Sequence, residues 1–385
     1  MKESGSEIAI GFDAKRAFFN QSGLGNYSRT LLRQLAHHYP DLQLHLFSSR
    51  SANPEAFLPA GVGQVHLPNG NRLGWRSWGL SRDLKRSALP IYHGLSHELP
   101  LGIQQTGLVP VVTMHDAIFR RFPGHYPLFD RLVYDYKWAH SCRHAAQVVA
   151  ISEATRQDLL NYYPLQENRV QVIYQSLGEK FQQKSTLQAQ QQVRKTYRLP
   201  QDYLLFVGSL TVRKNLLGLL KALATLPSAQ RPPLVVVGQG HSYQRQMGAY
   251  LHRQGMAKEV FFRPELKDED LPALYGGALA LAYPSLYEGF GLPIVEALSQ
   301  GTPVVTSDVS AMPEAAGPGA LLIDPENHAE LAEAVERLVH DEALQQELVE
   351  KGRTHIERFD SPHIARQWYA LYRRLLSEQP RGVLR

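Results

Sequence analysis

Four short segments of this 385-residue chain carry side chains able to do chemistry. In Glu288-Gly289-Phe290-Gly291-Leu292-Pro293-Ile294-Val295-Glu296 two carboxylates stand with seven residues between them. Gly289 and Gly291 free the backbone for a tight, ligand-facing loop, and Pro293 suits the first turn of a helix. Glu296 is therefore expected about one turn into that helix, with Glu288 ahead of the loop. Two carboxylates held apart in this way can grip hydroxyls on two parts of one ligand, or act as the acid and nucleophile of a glycosidase. Upstream, Val207-Gly208-Ser209-Leu210-Thr211-Val212-Arg213-Lys214-Asn215 sets two adjacent cations before a helix, where the helix dipole disfavours them. An anion seated between them resolves the conflict. Phosphate is favoured over a merely solvated pair, and with it a nucleotide-linked sugar over a plain glycan. Gly23 and Gly25, in Ser22-Gly23-Leu24-Gly25-Asn26, open a helix after the first strand, where unpaired N–H groups can meet an anion or glycines simply make a turn. His115 closes the run Val112-Thr113-Met114-His115-Asp116 and is either a backbone-bonded structural residue or a polar contact to substrate.

The elements that must position these residues alternate along the chain. Strand-like runs are expected at 8–12, 43–47, 64–67, 91–93, 109–115, 148–151 and 170–174, with helical periodicity clearest at 25–38, 126–145 and 153–162. The alternation recurs in the second half, with strands at 203–207, 234–237, 260–263, 278–283, 303–306 and 320–323 and helices between them. Near-continuous apolar runs such as Val109-Pro110-Val111-Val112-Thr113 and Leu234-Val235-Val236-Val237 read as parallel strands buried on both faces. The pattern breaks at 182–192, where six of eleven residues are glutamine. This predicts an α/β protein of two doubly wound, Rossmann-like domains facing across a cleft: 1–180, a linker at 181–200, and 201–360. A C-terminal helix at 361–385 is expected to pack across the two. Ligands of such sheets bind beyond the strands' carboxyl ends, where strand order reverses, and all four segments follow strands.

Composition sets the limits. With 43% hydrophobic and 20% charged residues the chain is neither disordered nor fibrous. No apolar run reaches the length of a spanning helix, the first residues do not read as a secretory signal, and the one cysteine, Cys142, fits a reducing compartment. A cytoplasmic protein is expected. The net charge of +5 is one-sided: residues 1–180 hold 19 Lys and Arg against 14 Asp and Glu, and the remainder is neutral. Residues 71–86 concentrate the excess, with five cations, one acid and two tryptophans. That stretch is either an amphipathic helix with its tryptophans in the core or a surface for anionic lipid headgroups or a pyrophosphate-linked lipid. No recognised module accompanies the charge that would point to nucleic acid.

With these residues in view, the chain resembles the retaining glycosyltransferases of the GT-B fold, in the family-four group that includes many bacterial mannosyltransferases. Glu288 and Glu296, embedded in YEGFGLPIVEALSQGTPVVTS, look like that family's pair of glutamates seven residues apart. FVGSLTVRKNLLGLLKAL, LPALYGGALALAYPSLYEGFGLP, MPEAAGPGALLIDP, GFDAKRAFFNQSGLGNYSRTLL and VVTMHDAIF strengthen the likeness, which spans essentially the whole chain and is densest over 203–340. The resemblance implies that Arg213 and Lys214 bind the donor diphosphate, with Ser209 in the same loop. It implies that Glu296 holds the ribose, that Glu288 holds the transferred sugar, and that the backbone of Phe290, Gly291 and Leu292 meets sugar and phosphate. His115 would contact the donor sugar, Gly23 and Gly25 would lie by the phosphates or the acceptor, and Leu266 by the nucleobase.

Three positions depart from the family's pattern. Gln175-Ser176-Leu177 stands where Asn-Gly-Val is common, and Pro264 where a glycine is. Gly208-Ser209 stands where Gly-Arg is common, which puts more of the phosphate work on Arg213 and Lys214. The family suggests a metal-independent front-face substitution with no cofactor beyond the nucleotide sugar, GDP-mannose being favoured. The acceptor would be a saccharide or lipid-linked saccharide, with peripheral contact to an anionic membrane through 72–86. The run Asp268-Glu269-Asp270 superficially matches a metal motif, but first-turn carboxylates before Leu271 explain it more simply. The rival readings are a nucleotide-sugar epimerase, a glycan phosphorylase of the same fold, and a non-catalytic sugar-binding protein.

Overall fold

The computed structural model describes residues 8–69 and 74–378. The chain forms two compact units, one of residues up to Ser176 together with those from Phe359 on, the other Leu177–Arg358.

The first unit holds a seven-stranded sheet of β1 (Ile8–Asp13), β2 (Leu42–Phe47), β3 (Gln64–His66), β4 (Ile91–Gly94), β5 (Val109–Met114), β6 (Gln147–Ala150) and β7 (Val170–Val172), in the order β3-β2-β1-β4-β5-β6-β7. Every pairing is parallel, with Ile10 opposite both Leu44 and Ile91. The second unit holds β8 (Leu204–Val207), β9 (Leu234–Val237), β10 (Val260–Phe262), β11 (Ala280–Tyr283), β12 (Val304–Ser307) and β13 (Ala320–Ile323), in the parallel order β10-β9-β8-β11-β12-β13. Each sheet runs outward from its first strand in one direction and then in the other, the doubly wound topology expected. The runs that read as buried on both faces are so: every residue of β5 and of β9 is buried. Leu219, Leu220 and Leu223 of the helix Leu216–Thr225 pack with Val236, Val335 and Leu338 in the second core.

Three boundaries differ from expectation. The stretch 181–200 is part of the second unit rather than a linker. Its helix Leu187–Thr196, capped by the Thr186 hydroxyl, packs on the helix Leu271–Gly276. Polar bonds replace the apolar anchors that the sequence lacks there: the Gln300 side chain accepts from the Ser185 N–H at 2.9 Å, and the Gln190 amide donates to the Ser185 hydroxyl at 3.2 Å. The helix Ser361–Ser377 belongs to the first unit, where Trp368 and Tyr372 are wholly buried and Tyr369 stacks on Tyr39 at 4.0 Å. The first long helix starts at Gly23 rather than Gly25, running Gly23–His38.

Candidate functional site

Strand order in the second sheet reverses between β8 and β11, and the loops leaving their carboxyl ends hold the cations and the first glutamate. After β8 the chain passes Gly208 and makes a single 3-10 turn, Val212–Lys214, before Asn215 adopts a left-handed conformation and starts the helix Leu216–Thr225. Lys214 is buried, with Nζ 2.6 Å from Glu288 Oε1 and 4.7 Å from the centre of the Tyr283 ring, whose hydroxyl it also donates to. Arg213 Nη1 approaches the same Glu288 oxygen at 2.7 Å and donates to the Tyr287 carbonyl at 2.5 Å. The backbone locks the two loops together: the Leu286 N–H donates to the Arg213 carbonyl at 2.8 Å, and the Ser310 hydroxyl to the Glu288 carbonyl at 2.6 Å.

Burial opposes the charge of Glu288, but Lys214 and Arg213 overcome it and hold the carboxyl down at about 2. Burial likewise pulls Lys214 below its ordinary value, with Glu288 opposing that shift. Glu296 is in a different environment. It lies half-buried in the helix Leu292–Gln300, accepts a hydrogen bond from the Tyr275 hydroxyl at 2.9 Å, and is pushed up to about 7 by burial. The two carboxylates thus differ by design of their surroundings, one fixed as an anion and the other titrating near neutrality. Such a split is also what a glycosidase needs. Here, however, the ionised member has one oxygen covered by two cations, which suits a hydroxyl acceptor better than a nucleophile.

Gly291 caps the helix Leu292–Gln300 at φ 113°, a left-handed conformation, and a side chain there would meet Ile294 Cδ1 at 3.1 Å. Phe290 beside it is buried and Leu292 half-buried. Ser209 is exposed just beyond β8. Leu266 is half-buried in the turn after β10, its N–H donating to the Arg263 carbonyl at 3.4 Å, so its backbone donor is already engaged. The acidic run is engaged too: Asp268 pairs with Lys180 at 2.5 Å and Asp270 accepts from the Tyr197 hydroxyl at 2.6 Å.

In the first unit the strand order reverses between β1 and β4. His115, just past β5, is buried. Its Nε2–H donates to the Leu95 carbonyl at 2.9 Å, which leaves Nδ1 as an acceptor, and burial lowers its pKa to about 4. The ring of Tyr27 meets it edge-on at 4.6 Å. Behind it runs a buried polar chain: the Tyr27 hydroxyl lies 3.2 Å from Thr113 Oγ1, Thr113 Oγ1 lies 2.8 Å from His93 Nε2, and His93 Nδ1 lies 2.8 Å from the Tyr372 hydroxyl. Burial drops His93 to about 3, so its ring is neutral. Gly25 has a structural reason to be glycine, since a Cβ there would fall 1.8 Å from the Asn20 carbonyl oxygen, whereas Gly23 has open space.

The patch expected at 72–86 is only partly a surface. Arg72 lies outside the described residues. Trp75 is buried, its indole N–H donating to Asp83 at 2.7 Å. Arg76 is not available to a partner either: it pairs with Asp13 at 2.5 Å and with Glu98 at 2.8 Å, and Lys137 joins Glu98 at 3.2 Å. Sequence reasoning missed this pairing, although an aspartate closing the first strand at a reversal point was a readable signal. Tyr275, Tyr283, Thr113 and His93 were likewise missed, their roles being visible only once the strands are side by side.

Residues 189–355 match the family described as glycosyl transferases group 1, and residues 21–176 match glycosyltransferase family 4. Among curated relatives, the chain is 27% identical to O-antigen chain mannosyltransferase B of Escherichia coli over 376 residues, covering 92% of this chain and 96% of that protein. It is 29% identical over 285 residues to the serotype-specific mannosyltransferase WbdA of Escherichia coli, covering 71% of this chain but 35% of that protein. The crystal structure of HepE from Anabaena in complex with UDP-glucose superposes with a TM-score of 0.75 at 18% identity, over 95% of this chain and 100% of that one, a likeness of fold.

Proposed function

Since this chain belongs to the glycosyltransferases, family four in its first half and group 1 in its second, we propose that it transfers mannose from GDP-mannose to a saccharide acceptor carried on a lipid. The observation that carries this reading is the convergence of Arg213, Lys214 and Glu288 at the second sheet's reversal point. Two cations against one carboxylate leave a net positive charge where a donor diphosphate is expected. The choice of mannose follows the two relatives, both named mannosyltransferases.

In this reading the diphosphate approaches Arg213 and Lys214, beside the carboxylate they share. Glu288, ionised at any ordinary pH, accepts hydrogen bonds from hydroxyls of the sugar and cannot act as an acid. Glu296 accepts from the ribose, and the loop Phe290-Gly291-Leu292 supplies backbone contacts. The bond from the anomeric carbon to the phosphate oxygen lengthens first, and the charge gathering on phosphate is stabilised by the two fixed cations. The acceptor oxygen bonds to the same face of the sugar while its proton passes to the departing phosphate oxygen, so configuration is retained. Arg213 and Lys214 supply the positive charge that a metal ion supplies in other sites.

A thermal-shift series with GDP, UDP, GDP-mannose and UDP-glucose tests the donor. Stabilisation by the guanosine pair alone is expected. Stabilisation by the uridine pair alone would overturn the choice of donor, and by neither pair the nucleotide site itself.

A further inference from the structure

We propose that the first unit docks on an anionic lipid bilayer through a preformed face made of Trp78, the outer side of the helix Leu128–His144 and the cations of the helix Leu80–Arg86. Five large apolar side chains, Trp78, Leu128, Phe129, Leu132 and Tyr136, are each between 62% and 74% exposed. Leu128, Leu132 and Tyr136 recur every fourth residue and so share one stripe of their helix, with Phe129 beside its start. Trp78, Leu132 and Tyr136 line a groove of about 320 Å³, together with Leu99, Leu101 and Val133. Single exposed apolar residues are ordinary, but a contiguous set of this size marks a contact surface.

The face is held rigid from beneath. The Leu101 N–H donates to the Ser77 carbonyl at 2.8 Å, tying Trp78's segment to the loop after β4. Arg76 and Lys137 both hold Glu98, at 2.8 and 3.2 Å, which joins that segment and loop to the helix Leu128–His144. The arginine expected to touch lipid instead builds the platform.

Charge identifies what covers it. Residues 72–143 contain ten Lys and Arg against five Asp and Glu, a surplus equal to the +5 of the whole chain. Of these five acids at least three are engaged: Asp83 by the Trp75 indole, Glu98 by Arg76 and Lys137, and Asp135 by Arg120. Arg82, Lys85 and Arg86 stand exposed on the helix Leu80–Arg86, which continues directly from Trp78's turn. A second copy related by a two-fold axis would set these like charges against one another. A bilayer surface answers both features: aromatic rings sit at headgroup level, aliphatic side chains reach below it, and cations meet anionic headgroups. The proposal rests on the proposed function only for its motive, a lipid-borne acceptor, and needs neither sugar nor nucleotide to be tested.

The full chain should float with vesicles of phosphatidylcholine mixed with phosphatidylglycerol, not with phosphatidylcholine alone, and added salt should release it. Binding should shift tryptophan emission to the blue, and Trp78→Phe should remove the shift, because Trp75, Trp138 and Trp368 are already buried. Phe129→Asp, Leu132→Asp, and the pair Arg82→Glu with Lys85→Glu should each lower the partition by about tenfold or more, given that one surface cation contributes about 1 kcal/mol. Their stabilisation by nucleotide should stay unchanged. No flotation, equal flotation on neutral vesicles, unchanged partition of the variants, or a dimer that Phe129→Asp dissociates would each overturn the docking. Loss of flotation with nucleotide binding intact refutes the docking alone. Flotation without any nucleotide response refutes the proposed function and leaves the docking standing.

Discussion

Lys214 is a buried cation kept in place by a carboxylate at 2.6 Å and an aromatic ring below it. Lys214→Ala should lower turnover by about 10²–10³-fold, the cost of removing one preorganised charge from a developing anion. A chain with an unchanged unfolding midpoint and near-normal turnover would remove Lys214 from the phosphate site. Glu296 gives a second, pH-resolved test. Its folded pKa of about 7 lies above the ordinary 4.5, so the native chain holds an extra proton across that window, and this contribution to stability declines as pH rises through it. Binding a ribose through the carboxylate must expel that proton. Nucleotide affinity should therefore strengthen by up to about tenfold per unit as pH rises towards 7 and level off above it. Glu296→Gln should flatten the profile, as calorimetry in buffers of different ionisation heat would read. The placement of the motif glutamates, one ahead of a glycine loop and one in the helix after it, was legible in the sequence. Their different acid strengths were not, because these come from Arg213 and Lys214 beside Glu288 and from the burial of Glu296, both made only by the folded chain.

Among elements, strands were the more readable. Runs such as Leu234–Val237 can hardly be anything but parallel strands covered on both sides, and the reversal of order then says which loops meet a ligand. Helices and loops misled wherever polar contacts did the packing. The glutamine-rich stretch looked solvated because its amides had no visible partners, yet Gln190 and Gln300 bond the backbone and side chain of Ser185. The stretch 72–86 reads as one amphipathic surface because Asp13, the partner of Arg76, lies 63 positions away. The glycine pair before the first long helix divides in the same fashion. Gly25→Ala should destabilise the first unit by about 1–3 kcal/mol or more, since its new methyl would fall on the Asn20 carbonyl, while Gly23→Ala should be close to neutral in denaturant unfolding.

For the whole molecule, the helix Ser361–Ser377 completes a unit begun at the other end of the chain. Tyr372→Phe should cost about 1–3 kcal/mol by leaving His93 Nδ1 without its partner, and through Thr113 and Tyr27 it should also move the NMR signals of His115. A mutant with altered stability but an undisturbed His115 signal would confine Tyr372 to packing. This arrangement imposes an order on synthesis. A ribosome translates the whole of Leu177–Arg358 before it makes the helix Ser361–Ser377, which packs on His93 of β4 and on the helix Gly23–His38. The first unit, although begun earlier, therefore lacks its last element until the second has been translated, and without that element the pocket for Trp368 and Tyr372 is empty. A released chain that stops at residue 358 should therefore show one protease-resistant unit, Leu177–Arg358, rather than two.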